Sequence, residues 1–238
     1  MQTGLAPMAH EFQEKRGADL AEQYQDIDTH AAAAIDGNYL IENMRRESQS
    51  WDMNRFAEWK GEGKAYLQAA AQSLGVATPD MDKSLADYQS FVKSTGQITR
   101  AAVHETSSRA AAQEYQMIQS TLPSPEMSSQ AFSQIADQMQ GVYDYNLAKQ
   151  KFAHDYTGNP NDMNIAWNKS VTPSAFMLNR MTQTPVGQAT LQTMLGNMSK
   201  TPEGRAVAAR LQSEVRFAKT NGFFDSLGTE QQPQAAQQ

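Results

Sequence analysis

Apolar residues in this chain recur at the three- and four-residue spacing of α-helices, and no stretch alternates in the manner of a β-strand. The first such stripe runs through residues 8–59, a segment without proline. Its apolar positions are Leu20, Tyr24, Ile27, Ala31, Ala34 and Ile41. The spacing predicts one long helix, with Gly37 as a point where it can bend.

Similar stripes predict further helices. Residues 97–122 carry Ala111, Tyr115, Ile118 and Leu122 on one side. A long helix is predicted over 126–156, with the apolar positions Phe132, Ile135, Met139, Val142, Tyr145, Phe152 and Tyr156. Beyond residue 157 the pattern changes to short helices, predicted over 162–168, 173–181, 185–197 and 202–221.

Five helix starts share one signal, a Ser or Thr followed by Pro. They are Thr78-Pro79, Ser124-Pro125, Thr172-Pro173, Thr184-Pro185 and Thr201-Pro202. The hydroxyl can accept a bond from a free backbone N–H at the N-cap, and proline fits the first helical position. The last two starts also share Gly three residues after the Thr, which we interpret as a recurring cap and not as a structural repeat.

The predicted fold is all-α, with long helices in an extended helical bundle, a cluster of short C-terminal helices and a disordered C-terminal tail. Residues 1–76 form a long N-terminal helical region, and residues 77–157 a hairpin-like middle region. Residues 158–224 form a short-helix C-terminal region. Residues 225–238 are rich in Gln and Ala and are predicted to be a disordered tail.

The composition provides few large aliphatic side chains for a core. Alanine accounts for 33 of the 238 residues and methionine for 13, whereas Ile, Leu, Val and Phe together make up about 15%, below the ~20% typical of globular chains. Alanine buries little apolar surface against the entropy cost of ordering the backbone. We therefore expect long helices that approach closely through alanine faces and bury the remainder in a homo-oligomer.

The charge and the residue types exclude several classes of function. There is no cysteine, so disulfides and thiolate metal sites are impossible. No cofactor motif is present, and no stretch approaches the roughly 20 apolar residues of a membrane span, so we expect a soluble chain made in the cytoplasm. The net charge of −6 disfavours DNA binding in general, although nonspecific DNA contact stays possible at local basic clusters. These clusters are Arg45-Arg46, Lys149 with Lys151, and Arg205, Arg210, Arg216 and Lys219.

Catalytic patterns are sparse. None of the four histidines, His10, His30, His104 and His154, has a second histidine four residues away, as a helical metal site would need. Glu105-Thr106-Ser107-Ser108 resembles the acid and small hydroxyls at the centre of lytic transglycosylases, but the required Gly-x-Met-Gln segment does not follow. We therefore predict a non-enzymatic protein, with peptidoglycan cleavage at Glu105 as the alternative.

Two groups of large side chains are candidate functional residues. One group lies at Trp51, Phe56 and Trp59, and the other at Trp167, Phe176 and Met177. Packing in a helical core is the favoured interpretation. The alternative is that one group anchors a subunit interface, because aromatic and Met side chains dominate contact energies there.

Residues 100–224 also carry a family resemblance. The segments concerned are Leu122-Pro123-Ser124-Pro125-Glu126-Met127, Gln138-Met139-Gln140-Gly141, Trp167-Asn168, Ala175-Phe176-Met177, Thr201-Pro202-Glu203-Gly204-Arg205-Ala206 and Asn221-Gly222-Phe223-Phe224. This half of the chain resembles a segment of virion-associated proteins of tailed bacteriophages and proteobacterial prophages. The resemblance carries over no active-site residue.

The resemblance implies a structural or internal virion protein that works in many copies around a symmetry axis. Its implied partners are copies of itself and phage portal or tail proteins, and its implied location is the virion. It would touch a membrane only if it were ejected with the genome. A peptidoglycan-degrading accessory enzyme and a transient scaffold of capsid assembly are the alternatives.

Overall fold

The structure, a computed structural model, describes residues 5–48, 65, 68–72, 96–104, 107–121 and 129–225. Every regular element in these ranges is helical and none is a strand, which confirms the predicted all-α class. The predictions on Trp51, Phe56 and Trp59, on the helix starts at Thr78 and Ser124, and on the tail beyond residue 225 lie outside the described residues.

The described helices follow one another in this order. They are α1 (Leu5–Ser48), α2 (Arg109–Thr121), α3 (Ser129–Asp155), the 3-10 turn Pro160–Asp162, α4 (Met163–Ser170), α5 (Pro173–Met181), α6 (Pro185–Met198) and α7 (Pro202–Thr220). Residues 68–72 and 96–104 are helical as well.

The starts of α6 and α7 confirm the predicted cap. Thr184 Oγ1 accepts a bond from the backbone N–H of Gly187, and Thr201 Oγ1 accepts one from Gly204, each at 3.0 Å. A Cβ on either glycine would overlap a backbone carbonyl oxygen of the preceding turn. Glycine therefore stands in both caps because the chain folds back too closely for any side chain.

The predicted single helix over 97–122 is wrong, because the chain breaks at residues 107–108. The backbone N–H and the hydroxyl of Ser107 both donate to the carbonyl of Val103, the N–H at 3.1 Å. Ser108 Oγ then accepts from the N–H of Ala111 at 3.3 Å and begins α2. Serine hydroxyls favour caps over positions inside a helix, and Ser108 takes this role here.

Helix α1 packs along α3 through small residues, as predicted. Ile27, Ala31, Ala34 and Ile41 are buried on its inner side. Gly37 does not interrupt the helix, and a Cβ there would overlap the ring of Tyr143. The glycine is thus required by a close approach of the two helices.

Helix α3 lies at the centre of the molecule. It packs against α1 on one side and against α5 and α6 on others, while α2 and α7 complete the layer around α5. A Cβ at Gly141 would lie 2.6 Å from Met177 Cα, so α3 and α5 cross almost backbone to backbone. Described residues from the predicted regions 1–76, 77–157 and 158–224 share one hydrophobic cluster, which includes Ala34, Tyr143 and Met177.

Candidate functional site

The middle of α3 is enclosed by other helices, and several of its buried side chains are polar. Every residue from Ile135 to Asn146 is buried, on all sides of the helix. The polar side chains among them are Asp137, Gln138, Gln140, Asp144 and Asn146. Buried polar groups cost free energy unless they are hydrogen-bonded, so their partners define what holds this interior together.

Helix α1 supplies the first set of partners. Arg45 Nη2 donates to Asp137 Oδ1 at 2.7 Å and to Gln140 Oε1 at 2.6 Å. Gln140 Nε2 in turn donates to Glu42 Oε2 at 3.1 Å, and Asn38 Nδ2 donates to Asp144 Oδ1 at 3.2 Å. We name the α1 residues Asn38, Glu42 and Arg45 with their three α3 partners the polar seam.

The seam continues towards the surface at Asp28. Gln150 Nε2 donates to Asp28 Oδ1 at 2.8 Å, and His154 Nε2 lies 2.9 Å from the same oxygen. The hydrogen bond from Gln150, followed by the one from His154, lowers the pKa of Asp28. Polar contacts therefore join α1 to α3 over most of the length that they share.

Helix α5 supplies the strongest single ion pair of the interior. Both ends of the Arg180 guanidinium contact the carboxylate of Asp144, with Nη2 at 2.8 Å from Oδ1 and Nε against Oδ2. Such two-point contacts are stronger and more directional than single hydrogen bonds. Burial raises the pKa of Asp144, and the hydrogen bonds and charge of Arg180 oppose the rise.

Asp137 lies seven residues before Asp144 on α3, about two helical turns away. Burial raises the pKa of Asp137 too, and Arg45 opposes the rise through its charge and its hydrogen bond. Thr184, at the start of α6, reaches the other carboxylate oxygen at 3.4 Å. The two aspartates on α3 thus tie the central helix to α1, α5 and α6.

A second polar cluster lies where α2, α5 and α7 meet. The N–H of Thr172 donates to Glu214 Oε2 at 3.1 Å, and its Oγ1 lies 2.6 Å from the same oxygen and 3.0 Å from Glu114 Oε1. Arg210 contacts both carboxyl groups. Thr172 begins α5 without the side-chain cap that the sequence predicted, because its hydroxyl bonds to these glutamates instead.

The two glutamates of this cluster meet at one hydroxyl group. Oγ1 of Thr172 carries a single hydrogen and lies within hydrogen-bond distance of both carboxyl groups. Burial raises the pKa of Glu214, and the hydrogen bond from Thr172 and the charge of Arg210 oppose this rise.

Four carboxylates of the two clusters are buried. They belong to Asp137, Asp144, Glu114 and Glu214, are bonded to arginines, threonine or amides, and are at most 8% exposed. Across the described ranges, no three His, Asp or Glu side chains are grouped to hold a metal ion. None of the described helices has a stretch apolar and long enough to cross a bilayer.

An open groove of about 330 Å³ lies beside residues 96–104 and α2. It is lined by Arg100, Ala101, His104, Ala112, Tyr115 and Gln116. The hydroxyl of Tyr115 already donates to Gln138 at 3.1 Å. Glu105, the predicted acid of the enzymatic alternative, lies outside the described residues, and Ser107 and Ser108 from the same motif form the turn and cap described above.

The predicted aromatic group at the C-terminal end is part of the core. Trp167 and Phe176 have no exposed surface, and Met177 is 2% exposed. Trp167 lies at ring-centroid distances of 5.3 Å from Tyr145 and 5.2 Å from Phe152. In the described structure these three side chains pack inside the chain.

The functional residues that the sequence analysis missed are the buried acids and their arginines. One signal was present: Asp137 and Asp144 lie seven residues apart on one side of α3, with no basic residue three or four positions from either. Solvated helix surfaces usually place such a partner there. The absence of a basic neighbour on α3 indicates that Asp137 and Asp144 form their ion pairs with another helix.

Comparison with known proteins gives no relative. No family model, no curated protein and no solved structure matches this chain.

Proposed function

We propose that this protein is a structural or internal component of a tailed-phage virion, assembled as a homo-oligomer at the portal or tail or ejected with the genome. Its work would be mechanical: helices exchange partners between an assembled and a delivered form. The observation that carries the proposal is the way α1 is attached to the rest of the chain.

That attachment combines small side chains with polar bonds. Alanines and Gly37 bring α1 close to α3, and the polar seam supplies the specific contacts. Net hydrogen-bond energies are small because water replaces the lost partners when a helix separates. A helix held in this way can detach at a lower cost than one held by large aliphatic residues.

The outer side of α1 offers a surface for another copy. Ile35 and Tyr39 lie one turn apart on it, and they are 45% and 55% exposed. With 44 residues, α1 is about 66 Å long at a rise of about 1.5 Å per residue. The described side chains from Lys15 to Glu22 are exposed apart from Leu20, so the helix also extends beyond its contacts with α3.

The oligomer is tested by sedimentation and light scattering over a wide range of protein concentration. We expect the unaltered chain to associate, and the double variant Ile35→Glu/Tyr39→Glu to stay folded but to associate more weakly. Ile165→Glu is the matched control, because Ile165 is 53% exposed on α4. A compact monomer at about 100 µM, or equal effects of both variants, would refute association through α1.

The virion role is tested by mass spectrometry of purified phage particles from the host that carries this gene. We expect the chain in mature particles at several copies per portal. Detection in immature capsids alone would replace the proposal with the scaffold alternative. Release of soluble fragments from purified peptidoglycan, abolished by Glu105→Gln, would replace it with the enzymatic one.

A further inference from the structure

The outer surface of α7 carries a row of basic side chains. Arg205, Ala209, Gln212, Arg216 and Lys219 are all exposed. At about 100° per residue these five positions fall within an arc of about 80°, and the row is about 21 Å long. We name these residues the basic stripe.

No carboxylate neutralises the stripe from its own helix. Glu203 lies on the opposite side of α7, about 200° around the axis from Arg205, and Glu214 is buried against Thr172. Within the part of the chain that the structure describes, no ion pair involves Arg205, Arg216 or Lys219. An ordinary solvated helix surface mixes both signs of charge.

The balance of charged residues over 129–225 is positive. Residues 129–225 contain nine basic and seven acidic residues. Three of those acids, Asp137, Asp144 and Glu214, are buried against arginines, and two of these arginines, Arg180 and Arg210, belong to the same range. Outside these ion pairs the range holds seven basic and four acidic residues, although the whole chain carries a charge of −6.

Arg210 and Arg45 do not contribute to this surface. Arg210 belongs to the basic cluster predicted on the last helix, but its side chain contacts Glu114 and Glu214. Arg45, in another predicted basic cluster, is bonded to Asp137 and Gln140. Arg45 is 16% exposed and Arg210 is 49% exposed, but the charge of each is paired with a buried carboxylate of the same chain.

We infer that the basic stripe binds the phosphate backbone of duplex DNA without reading its sequence. Side chains of Arg and Lys neutralise phosphates, whereas specificity requires polar groups that reach base edges, and Gln212 is the only uncharged polar side chain of the stripe. A lipid surface is a poorer fit, because the apolar side of α7, with Leu211 and Ala218, is buried in the protein. The inference deepens the proposed function, since it names the genome as a partner.

The number of charges sets the expected salt dependence. Three phosphate contacts give a slope of about −2.7 for log K against log salt concentration on duplex DNA. Raising the salt from about 50 mM to about 200 mM should then weaken binding about 40-fold. Each basic side chain removed should reduce the slope by about one.

The experiment uses the full chain and a fluorescein-labelled duplex DNA of mixed sequence, with binding followed by anisotropy. The test variant is Arg205→Gln/Arg216→Gln/Lys219→Gln. The matched control is Lys15→Gln/Arg109→Gln/Lys169→Gln, which removes the same charge from exposed positions on other helices. We expect the test variant to lose at least tenfold in affinity and nearly all of the salt slope, and the control to lose less than threefold.

Equal losses in both triple variants, or no binding by the unaltered chain at about 50 mM salt, would overturn the inference. So would stripe-dependent binding to vesicles containing anionic lipid in the absence of DNA binding. The result is independent of the oligomer test, because the stripe lies on α7 and the proposed contact between copies on α1. Loss of DNA binding with an intact virion location would remove this inference alone, whereas DNA binding by a chain absent from virions would remove the proposed function alone.

Discussion

Removal of the Arg180 guanidinium is the sharpest test of how the interior is held together. In Arg180→Met the carboxylate of Asp144 would keep only the bond from Asn38. The side chain of Asp144 is 1% exposed, so water cannot replace the lost partner. Breaking a buried ion pair on one side costs about 3–5 kcal/mol. For a chain of this size that is a fall in Tm of about 6–20 °C.

The assay is urea unfolding at a single protein concentration, followed by circular dichroism at pH 7 and at pH 4. Because the variant leaves the buried carboxylate of Asp144 without its arginine, that group should take up a proton at pH 4. The difference in the free energy of unfolding between the variant and the unaltered chain should then be smaller at pH 4 than at pH 7. Asp144→Asn/Arg180→Met should recover at least half of the loss at pH 7, since no charge is left inside.

Arg216→Met is the matched control on an exposed site, and we expect it to change stability by less than about 0.5 kcal/mol. The reasoning would be refuted by a loss below about 1 kcal/mol in Arg180→Met at pH 7. An equal loss of stability at pH 4 and pH 7 would also refute the reasoning, because lost packing and not the unpaired charge of Asp144 would then be responsible.

Two further predictions concern buried protons and close backbone contacts. A raised pKa in Glu214 means that the folded chain holds a proton that the unfolded chain releases above about pH 4.5, so stability falls as the pH rises through the raised pKa. Thermal melts should therefore show that Glu214→Gln gains stability relative to the unaltered chain between pH 4.5 and pH 8, unlike the exposed Glu203→Gln, and parallel curves would contradict the raised pKa of Glu214. Gly187→Ala and Gly141→Ala should each lower stability by more than about 1 kcal/mol in urea titrations, because a Cβ meets backbone there, whereas Gly196→Ala, with open space around it, should raise it by about 0.5–1 kcal/mol. Stabilisation by all three alanines would show that the helices do not approach so closely.

The short C-terminal helices could be predicted almost to the residue. The chain begins α5, α6 and α7 at Pro173, Pro185 and Pro202, as the sequence indicated. These starts depend on proline and on the residues next to it, so local chemistry alone decides them. The apolar stripe of α1 was equally visible, because burial on one side of a helix leaves a period in the sequence.

The polar interior could not be predicted in the same way. The period of α3 shows one apolar side, but it does not show that the other side also meets helices. Asp144 is buried because Asn38 and Arg180 reach it from positions 106 and 36 residues away in the chain. Such partners follow from the packing of whole helices, and no local pattern encodes them.

The hydroxyl groups of Thr172 and Ser108 form hydrogen bonds that the local sequence did not predict. Thr172 has the sequence of an N-cap, yet its hydroxyl bonds to buried glutamates. Ser108 stands in what looks like a continuous helical stripe, yet it caps a new helix. The distant glutamates decide the use of the hydroxyl in Thr172, whereas the hydroxyl of Ser108 bonds to a residue three positions away.

The contact between α1 and α3 has a consequence for synthesis of the chain. Asn38 and Arg45 meet partners that lie 106 and 92 residues downstream. At translation rates of about 5–20 residues per second, α1 leaves the ribosome about 5–20 s before its own α3. During that interval the inner side of α1 has no α3 of its own chain to pack against, so its apolar and polar contact groups stay exposed to solvent.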